Sequence, residues 1–435
     1  MAKQPGLAPF GLQDFPTEVQ PPITSNSVRN FDRETVRRDA ADTRIVIHGR
    51  FPRLVQQFLA HKRAHGSSAE RAVYHAGWTW QQQVARLVAK RALVFMGRED
   101  FTVLRSGQRI GGAYREWDRV GTDEEGSNKH LFLRDYLSYD EIMLSSLVGV
   151  SGPSFFINDG RRTNIGRRDA AGEFEPRGII VGLVGARFER DDRMDSAYVE
   201  SGSRPRQHPE LRDIFFEFFG ASKTPSPSLG TSTTPALSIG TSKTPSSNFD
   251  AEVYKARIRI TADVLLTEAS RRAKSAEKKA HVYVVGLGLG VWAINSDQTQ
   301  LFVEAFLAAL DELGEGVSHI ATVEFAYIKE VSGVRSRSVI FEDSETAVDV
   351  RFTRRNPAAK LRGSDADNLL VLSYAWDGNA FPGNEYWAGS LAATGDPAAA
   401  CMSTISELHN PMINPGFLDR IEVLGAPSSD SSGQS

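Results

Sequence analysis

A single cysteine in 435 residues, Cys401, rules out an intramolecular disulfide framework and any cysteine-rich zinc module. Its flanks, AAACMSTI, read as an alanine-rich helix, where a thiol packs as a small apolar group rather than acting as a nucleophile. No 18-residue apolar run occurs, and the opening MAKQPGLAPFGLQDFP lacks the apolar core of a signal peptide. These absences lead us to expect a cytoplasmic or nuclear protein that is neither secreted nor membrane-bound. Charge of one sign is also missing: 51 basic residues face 54 acidic ones, so no global excess points to nucleic acid or an anionic membrane. No histidine pair at ligand spacing and no Ca²⁺-loop pattern is read in the chain, so no metal centre and no cofactor are expected. Asp377 and Asp396 are the one carboxylate pair left open for a Mg²⁺.

What is present suits a large α/β protein. The hydrophobic content of 40% is enough to fill a core. Residues 1–43, without sustained periodicity, read as a disordered arm. Residues 44–175 read as a mostly helical N-terminal region, opened by a strand over Thr43–His48 and two amphipathic helices within Phe51–Met96. Lys62, Arg63, Arg71, Arg86, Lys90 and Arg91 are expected on the solvated faces of those helices. The turn with Asn158, Asp159, Arg161, Arg162 and Asn164 reads either as an anion grip or as a basic hairpin. Residues 176–424 alternate strands and helices, the pattern of a partly parallel sheet covered on both faces. A Ser/Thr/Pro repeat, GASKTPSPSL, GTSTTPALSI and GTSKTPSSNF, interrupts them at 220–249 as a disordered insertion, and 425–435 read as a disordered tail.

Two loops carry the chemistry. In VLSYAWDGNAFPGNEYWAGSLAATGDP an apolar strand runs into Asp377, Asn379, Gly383, Asn384, Glu385 and Asp396, and strand-end loops are where open α/β proteins hold ligands. A Pro-Gly turn with Asn and Asp caps would look similar, and Asp396 before Pro397 is also an ordinary helix start. In HVYVVGLGLGVWAINSDQ a second strand ends in Gly286, Leu287, Gly288, Gly290, Val291 and Trp292 before a helix. Alternate glycines let backbone N–H groups approach a diphosphate, with a helix start nearby. The spacing matches neither a dinucleotide fingerprint nor a P-loop. Close backbone packing is the competing account of the glycines, and core packing that of Trp292. His409, before Asn410-Pro411, reads as a helix C-cap.

Together the loops resemble the macrodomain superfamily, in particular its poly(ADP-ribose) glycohydrolase-like branch, where a loop of the type FAN…PGGG…EE surrounds the distal ribose and a loop of the type GCGAFGN holds the diphosphate. SYAWDGNAFPGNEYW looks like the first and GLGLGVWAIN like the second. Their order is reversed here, which implies a permuted or rearranged macrodomain-like three-layer α/β/α fold with a mixed sheet. Within that branch the chain is most similar to the MavL-type ADP-ribosyl hydrolase family, which has bacterial and eukaryotic members, over at most residues 176–424. The shared feature is an acidic trio, here Asp377, Glu385 and Asp396. PGN in place of the triple glycine, and Glu385 followed by Tyr386 in place of paired glutamates, argue against the chain-end poly(ADP-ribose) reaction.

The resemblance implies hydrolysis of one ADP-ribose from a protein side chain, arginine-linked and with ubiquitin as a candidate partner. Asp377 and Glu385 would lie at the distal ribose, one activating water and the other holding hydroxyls or the guanidinium. Asn379 and Asn384 would bind ribose hydroxyls, Gly286, Gly288 and Gly290 would line the diphosphate, Trp292 would stack on a base or ribose, and Leu287, Val291 and Gly383 would complete the ligand-binding loops. A non-catalytic ADP-ribose reader ranks second, and an unrelated nucleotide-binding or scaffold protein third.

Overall fold

The computed structural model describes residues 12–13, 19–97, 99–200, 205–220, 248–331, 337–340, 347–392 and 395–425. Among them are twelve strands: β1 (Arg44–His48), β2 (Val94–Met96), β3 (Phe101–Val103), β4 (Arg109–Gly111), β5 (Val148–Phe155), β6 (Arg177–Leu183), β7 (Ala280–Val284), β8 (Ile320–Ala326), β9 (Arg337–Ile340), β10 (Ala347–Thr353), β11 (Leu369–Ala375) and β12 (Ile421–Leu424). Nine of them form one mixed sheet in the order β12-β1-β5-β6-β11-β7-β8-β10-β9, and β2, β3 and β4 form a small antiparallel sheet. The run β6-β11-β7-β8-β10 is parallel, whereas β5 is antiparallel to both its neighbours. Strands buried on both faces read as continuous apolar runs, as β6 and β11 do.

Both faces of the sheet are covered, and β5 shows how. Ser151 points to one face and donates to Glu268 Oε1 at 2.6 Å on the helix Ala251–Ser275. Ser154, of opposite parity, meets Thr404 Oγ1 at 2.9 Å on the other face. The helix Ala251–Ser275 starts at Asp250, whose carboxylate caps the N–H groups of Glu252 and Val253. It is buried nearly all round, and its buried charges are paired: Arg257 with Asp195 at 3.0 Å, Arg272 with Glu268 at 2.7 Å. Beside it runs the helix Gln298–Leu313, ended by Gly314 at φ +47. Phe302 and Phe306 bury one stripe of that helix, each burial stabilising by about 2–3 kcal/mol. Among the described residues, no helix is long and apolar enough to cross a membrane.

Three expectations change. A boundary at 175/176 would separate β5 from β6, which pair from Val150↔Gly182 to Phe155↔Arg177, so the helical region and the strand-rich region share one sheet. The expected disordered arm is folded from residue 19 to 43: the helix Arg33–Asp42 buries Val36 and Ala40, and Asn26 donates to the carbonyl of Ser403 at 2.9 Å. Residues 1–11 and 14–18 of that arm, the repeat residues 221–247 and the tail 426–435 lie outside the described residues. The basic residues of the helical region are not all on a solvated face. Lys62 is buried between Glu70 and Asp140, each at 2.6 Å, and Arg86 is buried against Glu141 at 2.7 Å. Arg91, wholly buried, lies 3.8 Å over the Trp376 ring. Partner carboxylates and an aromatic face offset the desolvation that would otherwise keep such groups in water.

The helix start at Asp396-Pro397 leads into two helices, Gly395–Met402 and Ile405–Leu408, interrupted where Phe156 bridges Ser403. In the turn at 158–164, Arg161 pairs with Asp159 at 3.0 Å and with Asp169, just beyond the turn, at 2.6 Å, so its guanidinium is engaged locally.

Candidate active site

β6, β11 and β7 are adjacent and parallel, so the loops at their C-terminal ends converge on one edge of the sheet. The glycine loop follows β7, the carboxylate loop follows β11, and residues 184–195 follow β6. The glycine loop and the β6 loop meet backbone to backbone. A Cβ on Gly288, whose φ is +77, would sit 2.7 Å from the carbonyl oxygen of Ala186, and one on Gly185 would sit 2.3 Å from the carbonyl carbon of Leu287. Glycine is therefore required at 288 on both grounds. Gly290, by contrast, faces open space. Leu287 is fully buried, Val291 is 65% exposed, and the N–H groups of Gly288, Gly290, Val291 and Trp292 donate to no acceptor among the described residues.

Arg187, which nothing in the sequence singled out, joins all three loops. Its guanidinium donates to Asn379 Oδ1 at 2.7 Å and to Glu189 Oε2 at 2.7 Å, lies 3.4 Å from Asp377 Oδ1 and stacks 4.3 Å from the Trp292 ring centroid. Its own N–H donates to Asp195 Oδ2 at 2.8 Å, and Asp195 is tied to Arg257 of the long helix. Among the expected site residues, Asp377, Asn379 and Trp292 thus meet around one buried cation.

The three acidic residues are close enough to repel. Burial raises the pKa of Asp396 well above its ordinary value, and the charges of Asp377 and Glu385 push it further in the same direction. Burial likewise raises Asp377, opposed by Arg187. Asp396 Oδ1 accepts the N–H of Gly383 at 2.8 Å, and its buried Oδ2 has no partner among the described residues. The carboxylate thus braces the carboxylate loop rather than only starting the helix Gly395–Met402. Glu385 is half-buried.

Asn384 reaches both Asp377 and the N-terminal region. Its side-chain amide accepts from the N–H of Phe95 at 2.9 Å and donates to the carbonyl of Phe95 at 3.1 Å, clamping β2 to the carboxylate loop at a φ of +28. With Ala92 donating to the carbonyl of Asn379 at 3.2 Å and Arg91 under Trp376, this shows what residues 44–175 do for the site: they support the carboxylate loop from behind.

Two expectations about nearby side chains agree with the structure. Cys401 is fully buried and burial pushes its thiol up to about 12, so it is unreactive. His409 is the C-cap of Ile405–Leu408, buried beside Tyr374, with burial followed by Arg272 pulling it down to about 3.

The profile of the MavL-like ADP-ribosylhydrolases matches residues 13–423. The chain belongs to the MavL-like ADP-ribosylhydrolase family. Two relatives from Drosophila melanogaster agree. ADP-ribosylarginine hydrolase CG3568 is 37% identical over 434 residues, 95% of this chain and 82% of the relative. ADP-ribosylarginine hydrolase CG2909 is 35% identical over 404 residues, 88% of this chain and 78% of the relative. The protein is thus an ADP-ribosyl hydrolase. The MavL-like match also takes in residues 13–175, so the limit of 176–424 set by the two loops was too narrow.

Proposed function

We propose that this hydrolase removes ADP-ribose from an arginine side chain of a protein, holding the ligand in a macrodomain-like manner from the glycine loop to the carboxylate loop, with the two loops in reversed chain order. The observation that carries this reading is the meeting of Asp377, Asp396 and Glu385 beside the glycine loop, joined to it by Arg187. The relatives' names supply the arginine linkage.

In this reading the open N–H groups from Gly288 to Trp292 take the diphosphate, and fixing it provides binding energy for the reacting ribose. Asp396 keeps its proton and donates from Oδ2 to a ribose hydroxyl. Asp377, oriented by Arg187, accepts the planar fork of the substrate guanidinium. Glu385 takes a proton from the attacking water. The water oxygen bonds the anomeric carbon as the carbon–nitrogen bond breaks through an oxocarbenium-like transition state. The bonding pair stays on the guanidine nitrogen, which takes the proton that Glu385 removed from the water, so the products are ADP-ribose and free arginine and Glu385 is regenerated.

The test is release of ADP-ribose from arginine-modified protein, with ubiquitin modified on arginine as the first substrate and serine- and glutamate-linked proteins as controls. Selective release from arginine supports the proposal. Equal release from all three linkages would overturn the arginine assignment, and binding of ADP-ribose without release would make the protein a reader.

A further inference from the structure

We propose a divalent transition-metal site of the zinc class formed by His61, His208 and Glu210, on two helices outside the glycine, carboxylate and β6 loops. The expectation of no histidine pair at ligand spacing passes over His61 and His65, which stand four residues apart on one face of the helix Phe51–His65. His208 is the N-cap, and Glu210 lies in the first turn, of the helix Pro209–Phe219. One ligand atom from each of His61, His208 and Glu210 lies within 4.8 Å of the other two.

The finer distances fit coordination. His61 Nε2 and His208 Nδ1 are 3.1 Å apart. Two nitrogens bound tetrahedrally to Zn²⁺ at its usual bond length stand about 3.3 Å apart. His61 is buried to 7% exposure, Nδ1 has no partner among the described residues, and the approach to His208 is the one hydrogen bond described for its ring. His65 Nε2 lies 3.2 Å from Glu210 Oε2, and its ring stacks on His208 with centroids 5.2 Å apart. His65 therefore fixes the carboxylate and one imidazole from behind, as outer partners of metal ligands do. Two imidazoles and one carboxylate are a donor set for Zn²⁺ rather than Mg²⁺ or Ca²⁺, and a water completes the tetrahedron on the exposed side. The ion would cross-link the two helices just before residues 221–247.

The full-length protein, stripped with chelator, is titrated with Zn²⁺ by calorimetry and melted with and without the ion. His208→Ser serves as the variant, because serine is a favoured N-cap and preserves the helix start. One Zn²⁺ per chain, a raised melting temperature and at least about tenfold weaker binding in His208→Ser support the site. Absence of stoichiometric binding by the wild type would overturn it, as would equal binding by the variant or an equal rise in melting temperature with Mg²⁺. Two neutral imidazoles sharing one proton would then account for the close approach.

Discussion

Arg187 Nη1 lies 2.7 Å from Asn379 Oδ1 and 3.4 Å from Asp377 Oδ1, so one buried guanidinium sets the start of the carboxylate loop while its other side carries Trp292 of the glycine loop. Arg187→Met removes that cation and leaves the buried Asp377 and the half-buried Glu189 without it. Stability should fall by about 3–5 kcal/mol, the usual cost of breaking a buried pair from one side. Arg187→Lys, which keeps the charge without the planar fork, should lose activity with less loss of stability. Urea melts and turnover of both variants check this, and an Arg187→Met protein as stable as wild type would contradict it.

Gly288 and Gly290 should part company. Gly288→Ala places a methyl group 2.7 Å from the Ala186 carbonyl at a positive φ, so ADP-ribose affinity and melting temperature should both drop. Gly290→Ala meets open space and should melt like the wild type. Calorimetric titration with ADP-ribose and thermal melting of the pair decide it.

The parts that local sequence determines were legible. The strands β6, β7 and β11 and the helix Gln298–Leu313 announce themselves by apolar runs and end signals, and the two loops sit where those strands stop. Arg187 was not legible, because GARFER carries no pattern and the residue acquires its place only by meeting Asn379, 192 positions away. Asn384 reads as a ribose ligand because small amides suit loops, and its clamp on the backbone of Phe95, 289 positions away, has no signal in the sequence. Arg91 looked like solvated surface because a periodic helix does not show that Trp376 will cover it. Residues 19–43 hold few apolar side chains, and their order comes from tertiary contacts such as Asn26 with Ser403.

Asn384→Ala should destabilise the protein by about 1–3 kcal/mol, since it leaves the N–H and carbonyl of Phe95 without their partners. An unchanged melting curve with lost ADP-ribose affinity would make ligand binding, rather than the clamp on Phe95, its main role.

Asp396 links stability to pH. Its pKa is raised in the fold above the unfolded value near 3.8, so over the window above that value the folded state holds a proton the unfolded chain has released. Its contribution to stability therefore falls as pH rises through that window. Asp396→Asn should remove this term and be more stable relative to wild type at pH 8 than at pH 5. Melts of both proteins across that range check it, and parallel curves would contradict it.

Glu324 has the opposite sign. Burial pushes its carboxyl up, but hydrogen bonds from His281 at 2.7 Å and Arg355 at 2.9 Å outweigh this and hold it at about 2. Its contribution, on the order of 3 kcal/mol, is present above the unfolded value near 4.5 and is lost as pH falls toward 2. Glu324→Gln should therefore cost much at pH 7 and little at pH 2.5, as followed by urea unfolding at both.

The most direct test of the central claim is single-turnover release of ADP-ribose from arginine-modified protein by Glu385→Gln, with ADP-ribose affinity measured on the same sample. The account predicts a rate at least about 100-fold below wild type, the usual contribution of a positioned general base, with affinity retained. A wild-type rate in a variant that still binds ADP-ribose would show that the carboxylate loop does not activate the water.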